Sequence, residues 1–180
     1  MRTVQRILAA IDLSAYSEAT LARAADLARS MQASLLIGNI INARDLEIVK
    51  TVFRPVSEHY ASPYSSIYVP VERYVEEIKQ ERRDKIRQLV DRVAAGDVFG
   101  KTIFKVGVPF EELIAMIKDN NIDLLVMGPK GRTDLPHTLF GTTAEKMFRH
   151  CPVPLLSIRT EDFPRIMERR TALSSRRIED

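Results

Sequence analysis

Five short apolar runs, VQRILAAID (4–12), SLLIGNII (34–41), KTIFKVG (101–107), IDLLVMG (122–128) and VPLLSIR (153–159), are separated by stretches with apolar residues at helical spacing. This alternation constrains the fold more than any other feature. A run of this length, polar only at its exit, reads as a strand buried on both faces. Strands of that kind alternating with helices imply α/β architecture, a three-layer sandwich around a five-stranded parallel sheet. Ligands in such folds bind outside the carboxyl ends of the strands, where strand order reverses. Asp12 and Gly128 both stand at such ends.

The helices are read from their apolar spacing and end signals. Leu21, Ala24, Ala25, Ala28 and Met31 form a small-residue face behind Ser14 and Ser17, the candidate N-caps. Residues 71–95 read as one long helix with a charged, solvated outer face, ended by Gly96. PFEELIAMIKDNN (109–121) opens with proline and two acids, Glu111 and Glu112, as a helix N-terminus favours. TTAEKMFRH (142–150) is a short last helix, with Thr142 and Glu145 at capping-box spacing.

Residues 42–71, with Pro55, Pro63 and Pro70, read as a surface excursion without an assignable element. Its tyrosines (Tyr60, Tyr64, Tyr68, with Tyr74 just beyond) favour cover for a core edge or subunit contact over an aromatic lid. The expected organisation is one domain over 1–160 with that excursion inside it. A charged C-terminal extension follows over 161–180, where Phe163, Ile166, Met167 and Leu173 could line a docking face.

Several function classes are excluded or disfavoured. The 180 residues suffice for one ordinary core. The single cysteine, Cys151, permits no internal disulfide or cysteine-based metal cluster. His59, His137 and His150 show no metal-ligand spacing. The net charge of +3 is too small and dispersed for nucleic-acid binding. The N-terminus has neither signal-peptide nor membrane-span character, so a cytoplasmic protein is expected.

The candidate site lies in GPKGRTDLPHTLFGTTAEK (128–146), which holds three of the chain's seven glycines. Glycines cluster where backbone takes positive φ or something approaches closely. This loop leaves an apolar strand and enters a helix, so free N–H groups and the dipole's positive end face back into it, a seat for phosphate oxygens. Lys130 and Arg132 add positive charge. The bland alternative is a tight turn at Gly128, positive φ at Gly131 and a simple cap at Thr142. The loop is neither a Walker A motif nor a dinucleotide fingerprint.

Gly128, Gly131, Gly141 and Thr142 match a spacing of Gly, two residues, Gly, nine residues, Gly, then Ser or Thr. In this the chain resembles the ATP-binding universal stress proteins. RILAAIDLSAYSEATLARAADLA, FKVGVPFEELIAMIKDNNIDLLVMG and FRHCPVPLLSIR extend the resemblance over roughly 3–41 and 98–159. It implies a Rossmann-like sheet of the adenine nucleotide alpha hydrolase type, strand order 3-2-1-4-5, and ATP as ligand, with Mg2+ as a companion. Asp12 would lie near ribose or adenine, the backbone of Ile40 would read the adenine edge, and Met127 and Gly128 would flank the sugar. Gly131, Gly141, Thr142 and Thr143 would serve the phosphates, and Arg132, from its charge on the loop, is counted among the binding residues. Pro129 departs from the pattern by lacking an N–H, and Thr142 replaces the commoner serine.

The resemblance further implies a homodimer through the fifth strand, Val153 to Ile158, which would otherwise be an apolar open edge. A stress-response regulator switched by nucleotide occupancy is the expected function. The alternatives are a slow ATPase or phosphotransferase, lacking a dedicated general base, and a nucleotide-free interaction module.

Overall fold

A computed structural model describes residues 3–52, 71–132 and 140–159, with only the backbone described at 48–52 and 71. Its strands are β1 (Arg6–Ala10), β2 (Ser34–Asn42), β3 (Phe99–Gly107), β4 (Leu124–Met127) and β5 (Leu155–Ser157). They form one sheet in the order β3-β2-β1-β4-β5, and every pairing is parallel. The helices are α1 (Ser17–Met31), α2 (Ala43–Val52), α3 (Val71–Arg92), α4 (Pro109–Asp119) and α5 (Thr142–His150). The expected α/β class and strand order are both observed.

Alternation along the strands divides the core in two, because successive side chains leave a strand on opposite faces. Ile7, Ala9, Ile11, Ile37 and Val126 pack with Leu21, Ala24, Ala25 and Ala28 of α1 and Ile86, Leu89 and Val90 of α3. Leu8, Leu36, Leu125 and Met127 pack on the other face with Leu113, Met116 and Ile117 of α4 and Ala144 and Met147 of α5. The alanines let α1 approach closely, and Ala24, Ala25 and Ala28 are fully buried.

Several expected boundaries move. Part of the excursion is ordered: α2 starts directly after β2, with the Asn42 side-chain oxygen accepting the Arg44 N–H at 3.1 Å. Leu46 anchors it in the interior. The three prolines that argued against an element all lie beyond its end at Val52. Residues 53–70 and the extension from 160 onward fall outside the described residues, as do Tyr60, Tyr64, Tyr68, His59 and His137.

Neither Ser14 nor Ser17 caps α1; its N-cap is Tyr16, without a side-chain cap bond. The capping box of the last helix is also unmade, since Gly141 is the N-cap and Glu145 accepts from Arg149 at 2.9 Å. Gly96 does not end α3 by a left-handed turn. Ala94 takes that conformation, at φ 50°, and no glycine in the chain has positive φ.

Arg29 of α1 braces this turn, donating to the Ala94 carbonyl and, at 2.8 and 2.9 Å, to both oxygens of Asp97. The hydrogen bond from Arg29 holds the Asp97 carboxyl below its ordinary value. A depressed carboxyl stabilises fully above the ordinary carboxylate range and loses that contribution as pH falls through its folded value. Asp97→Asn should therefore lower the urea midpoint at pH 7, and the gap from wild type should shrink at pH 3.

Candidate functional site

A cleft of about 580 Å³ opens at the carboxyl ends of β1, β2 and β4. It lies where strand order reverses: β1 feeds α1 on one face of the sheet and β4 feeds α5 on the other. All nine residues expected at the site, Asp12, Ile40, Met127, Gly128, Gly131, Arg132, Gly141, Thr142 and Thr143, line it.

Asp12 braces the cleft from β1's side. Its Oδ1 accepts the Ser14 N–H at 3.0 Å and the Ser17 hydroxyl at 3.4 Å, while Oδ2 accepts the Arg132 N–H at 3.0 Å. One carboxylate thus caps its own turn and ties down the glycine loop, 120 residues away in sequence. Charge-assisted bonds to backbone N–H groups are strong ones, so this tie fixes the start of the loop at Gly131 and Arg132.

Gly128 and Gly131 answer to close approach, not to positive φ. A Cβ on Gly131 would stand 2.6 Å from Asp12 Oδ2, and one on Gly128 would stand 2.8 Å from Tyr16 Cβ. Gly141 donates its N–H to the Pro129 carbonyl at 2.9 Å, so that donor is committed within the loop. Pro129, which lacks an N–H, serves as an acceptor. The ladder of α5 begins with the Glu145 N–H on the Gly141 carbonyl at 2.9 Å. The N–H groups of Thr142, Thr143 and Ala144 precede it and belong to the unpaired first turn of a helix.

Charge around the cleft is arranged in ways the sequence concealed. The Arg132 guanidinium reaches Asp45 of α2 at 2.6 Å, tying the glycine loop to that helix. The Ile40 carbonyl accepts from Arg82 of α3 at 3.0 Å. Tyr16, Thr20, Asn42, Arg44, Asp45 and Phe140 also line the cleft and were not anticipated. Asn42, an Asx residue ahead of a helix, carried the available signal. Ser14 and Thr20 line the cleft as residues, but their hydroxyl oxygens are buried beneath its surface without a hydrogen-bond partner.

Other candidates lie apart. Tyr74 lines a neighbouring cavity of about 360 Å³. His150 packs edge-on against Phe110, with ring centroids 5.9 Å apart. Among the described residues no group of three or more His, Cys, Asp or Glu side chains could hold a metal ion, and no helix is long and apolar enough to cross a membrane.

A doubly wound α/β domain with a cleft at the switch point, walled in part by a glycine loop beside a helix N-terminus, is a common setting for small-ligand sites. Within that class, the model of the universal stress protein family matches residues 3–159, and the chain belongs to that family. The universal stress protein YxiE of Bacillus subtilis is 27% identical over 158 residues, 86% of this chain and 98% of that protein. Universal stress protein MJ0577 of Methanocaldococcus jannaschii is 26% identical over 96 residues, 51% of this chain and 59% of that protein. The solved structure of MJ0577 superposes with a TM-score of 0.66 at 19% identity, covering 89% of this chain and 99% of that one. Two family structures with the same fold are complexes: one with cAMP (TM-score 0.55, 19% identity, 88% and 98% covered) and one from Archaeoglobus fulgidus with dAMP (TM-score 0.52, 13% identity, 88% and 100% covered).

Proposed function

We propose that the cleft binds an adenine nucleotide, ATP foremost, and that occupancy switches a homodimer or partner surface in a stress response. The observation that carries this reading is the convergence of a helix N-terminus and a close-packed glycine loop on one cleft at the strand ends. The first-turn N–H groups of a helix are unpaired within it, and phosphate oxygens satisfy them. The complexes of fold relatives with cAMP and dAMP support the choice of ligand class.

In this reading Ile40 faces the base, Asp12, Met127 and Gly128 surround the sugar, and Gly131 with the first turn of α5 receives the phosphates. Gly141 contributes by its lack of a side chain, not by its committed N–H. Mg2+ would arrive on the phosphates and screen their charge. Arg132 supplies the switch. Phosphates in the loop compete with Asp45 for its guanidinium, so binding loosens the tie between the loop and α2. The signal would pass to a second copy docked on the open edge of β5, where Leu156 is 38% exposed. A cytoplasmic location suits the single cysteine.

Hydrolysis is disfavoured because both oxygens of Asp12 are already engaged, leaving it poorly placed to activate water. Nucleotide released from purified protein on denaturation, together with titration calorimetry against ATP, ADP, AMP and GTP, tests the proposal. Adenine nucleotides should bind more tightly than GTP, with affinity rising with phosphate number. Absence of binding at millimolar ATP defeats the reading.

A further inference from the structure

The sequence makes α3 a solvated outer helix, and one of its arginines departs from that role. Arg82 is half-buried, and its Nη1 donates at 3.0 Å to both the Asn39 side-chain oxygen and the Ile40 carbonyl. Asn39 is fully buried, and its Nδ2 donates to the Ile11 carbonyl at 2.7 Å. These bonds stand where the sheet opens. The β1–β2 ladder closes with Ala10 opposite Gly38 and the Ile11 N–H on the Gly38 carbonyl at 2.9 Å. Past that point one chain runs to Asp12 and the other to Ile40, the two sides of the cleft. Arg82 and Asn39 bridge them.

The arrangement is costly in isolation. Burial lowers the pKa of Arg82, and the nearby positive charge of Arg132 lowers it further, while Asp45, Asp12 and Glu81 act in the opposite sense. Among the described residues its contacts are neutral oxygens, and no carboxylate lies within ion-pair distance. A half-buried cation held this way sacrifices hydration that a methionine would not. What it supplies is geometry, since both protons of one planar nitrogen are fixed on two acceptors. Its guanidinium lines the neighbouring cavity and not the cleft, so it acts through Asn39 and Ile40.

We propose that Arg82 is a positioning residue for the base-binding side of the cleft, holding the exits of β1 and β2 at the separation a nucleoside base requires. The consequence for ligand affinity rests on the nucleotide reading above; the bracing of the two strand exits does not. Two measurements on the full-length chain therefore separate them. In the ligand-free protein, Arg82→Met should speed amide hydrogen exchange at Ile11, Ile40 and Ile41 by about tenfold, leaving Leu125 and Val126 of β4 unchanged. In binding, it should weaken adenosine by about tenfold while affinity for inorganic tripolyphosphate stays within about twofold.

Arg82→Lys keeps the charge on a single ammonium nitrogen without the planar fork and is expected to fall between; it carries the same test if the methionine variant does not fold. Unchanged exchange at the two exits overturns the bracing. Equal losses for adenosine and tripolyphosphate, or none for adenosine, overturn the positioning role. A wild-type protein that binds neither probe refutes the nucleotide reading and with it the role in base binding, and leaves the exchange result to decide the bracing.

Discussion

Replacing Thr142 by aspartate is expected to reduce ATP affinity by about 100-fold without weakening the fold. Thr142 is the first residue of α5, whose N-cap Gly141 is extended and makes no side-chain cap bond. An acidic side chain there complements the helix dipole, so the helix itself gains slightly. The same charge stands where the phosphates would. Like charges about 4 Å apart at a protein surface repel by about 4 kcal/mol before salt screening. Gly141→Asp is a second version of the test. Its φ of −74° suits any residue, aspartate is a favoured N-cap, and the added Cβ would meet only ordinary contacts at 3.5 and 3.6 Å. Thermal unfolding should show both variants folded, and calorimetry should show both failing to bind ATP tightly. Thr142→Ser, which keeps the hydroxyl, should bind like wild type. Aspartate variants that bind ATP normally would remove the phosphates from this helix end.

Gly128→Ala is expected to act on the fold itself, at about 1–3 kcal/mol. The new methyl would sit 2.8 Å from Tyr16 Cβ and 3.2 Å from the Lys130 carbonyl oxygen. Neither can swing away. Tyr16 Cβ is rooted in the backbone at the start of α1, and the carbonyl belongs to the loop's main chain, so relief requires the two elements to part. Gly131→Ala is the instructive contrast, because its methyl would meet the far end of the Asp12 side chain. Rotation of that carboxylate relieves the clash but breaks its bond to the Arg132 N–H. Urea unfolding should therefore show a large loss for Gly128→Ala and a small one for Gly131→Ala. Proteolysis of the glycine loop should rise more for Gly131→Ala. Equal stabilities for the two variants would mean that the loop yields more easily than this packing implies.

Strand positions, the parallel sheet and the gathering of nine named residues around one cleft were legible because they depend on local signals: apolar runs, small-residue helical faces and glycine spacing. Helix ends were less legible. The last helix does start at Thr142 as expected. Serines, however, pointed to caps at Ser14 and Ser17 and a glycine to a stop at Gly96, whereas Tyr16 is the cap of α1, Arg29 reached across from α1 to brace the end of α3, and Ala94 took the left-handed turn. Similarly, the prolines after Val52 obscured α2, whose Asp45 holds Arg132.

The sequence by itself determined the fold class and which residues gather at the cleft, since periodicity and glycine placement are properties of neighbouring residues. Only the tertiary structure decided what each group does there. Asp12 became a clasp on the glycine loop, Gly141 a donor to Pro129, Arg132 a tie to α2 and Arg82 a brace beneath Ile40. The reason is that hydrogen bonds and ion pairs join atoms a few ångströms apart whose residues stand up to 120 positions away in the chain, and no local pattern encodes which of those atoms will meet.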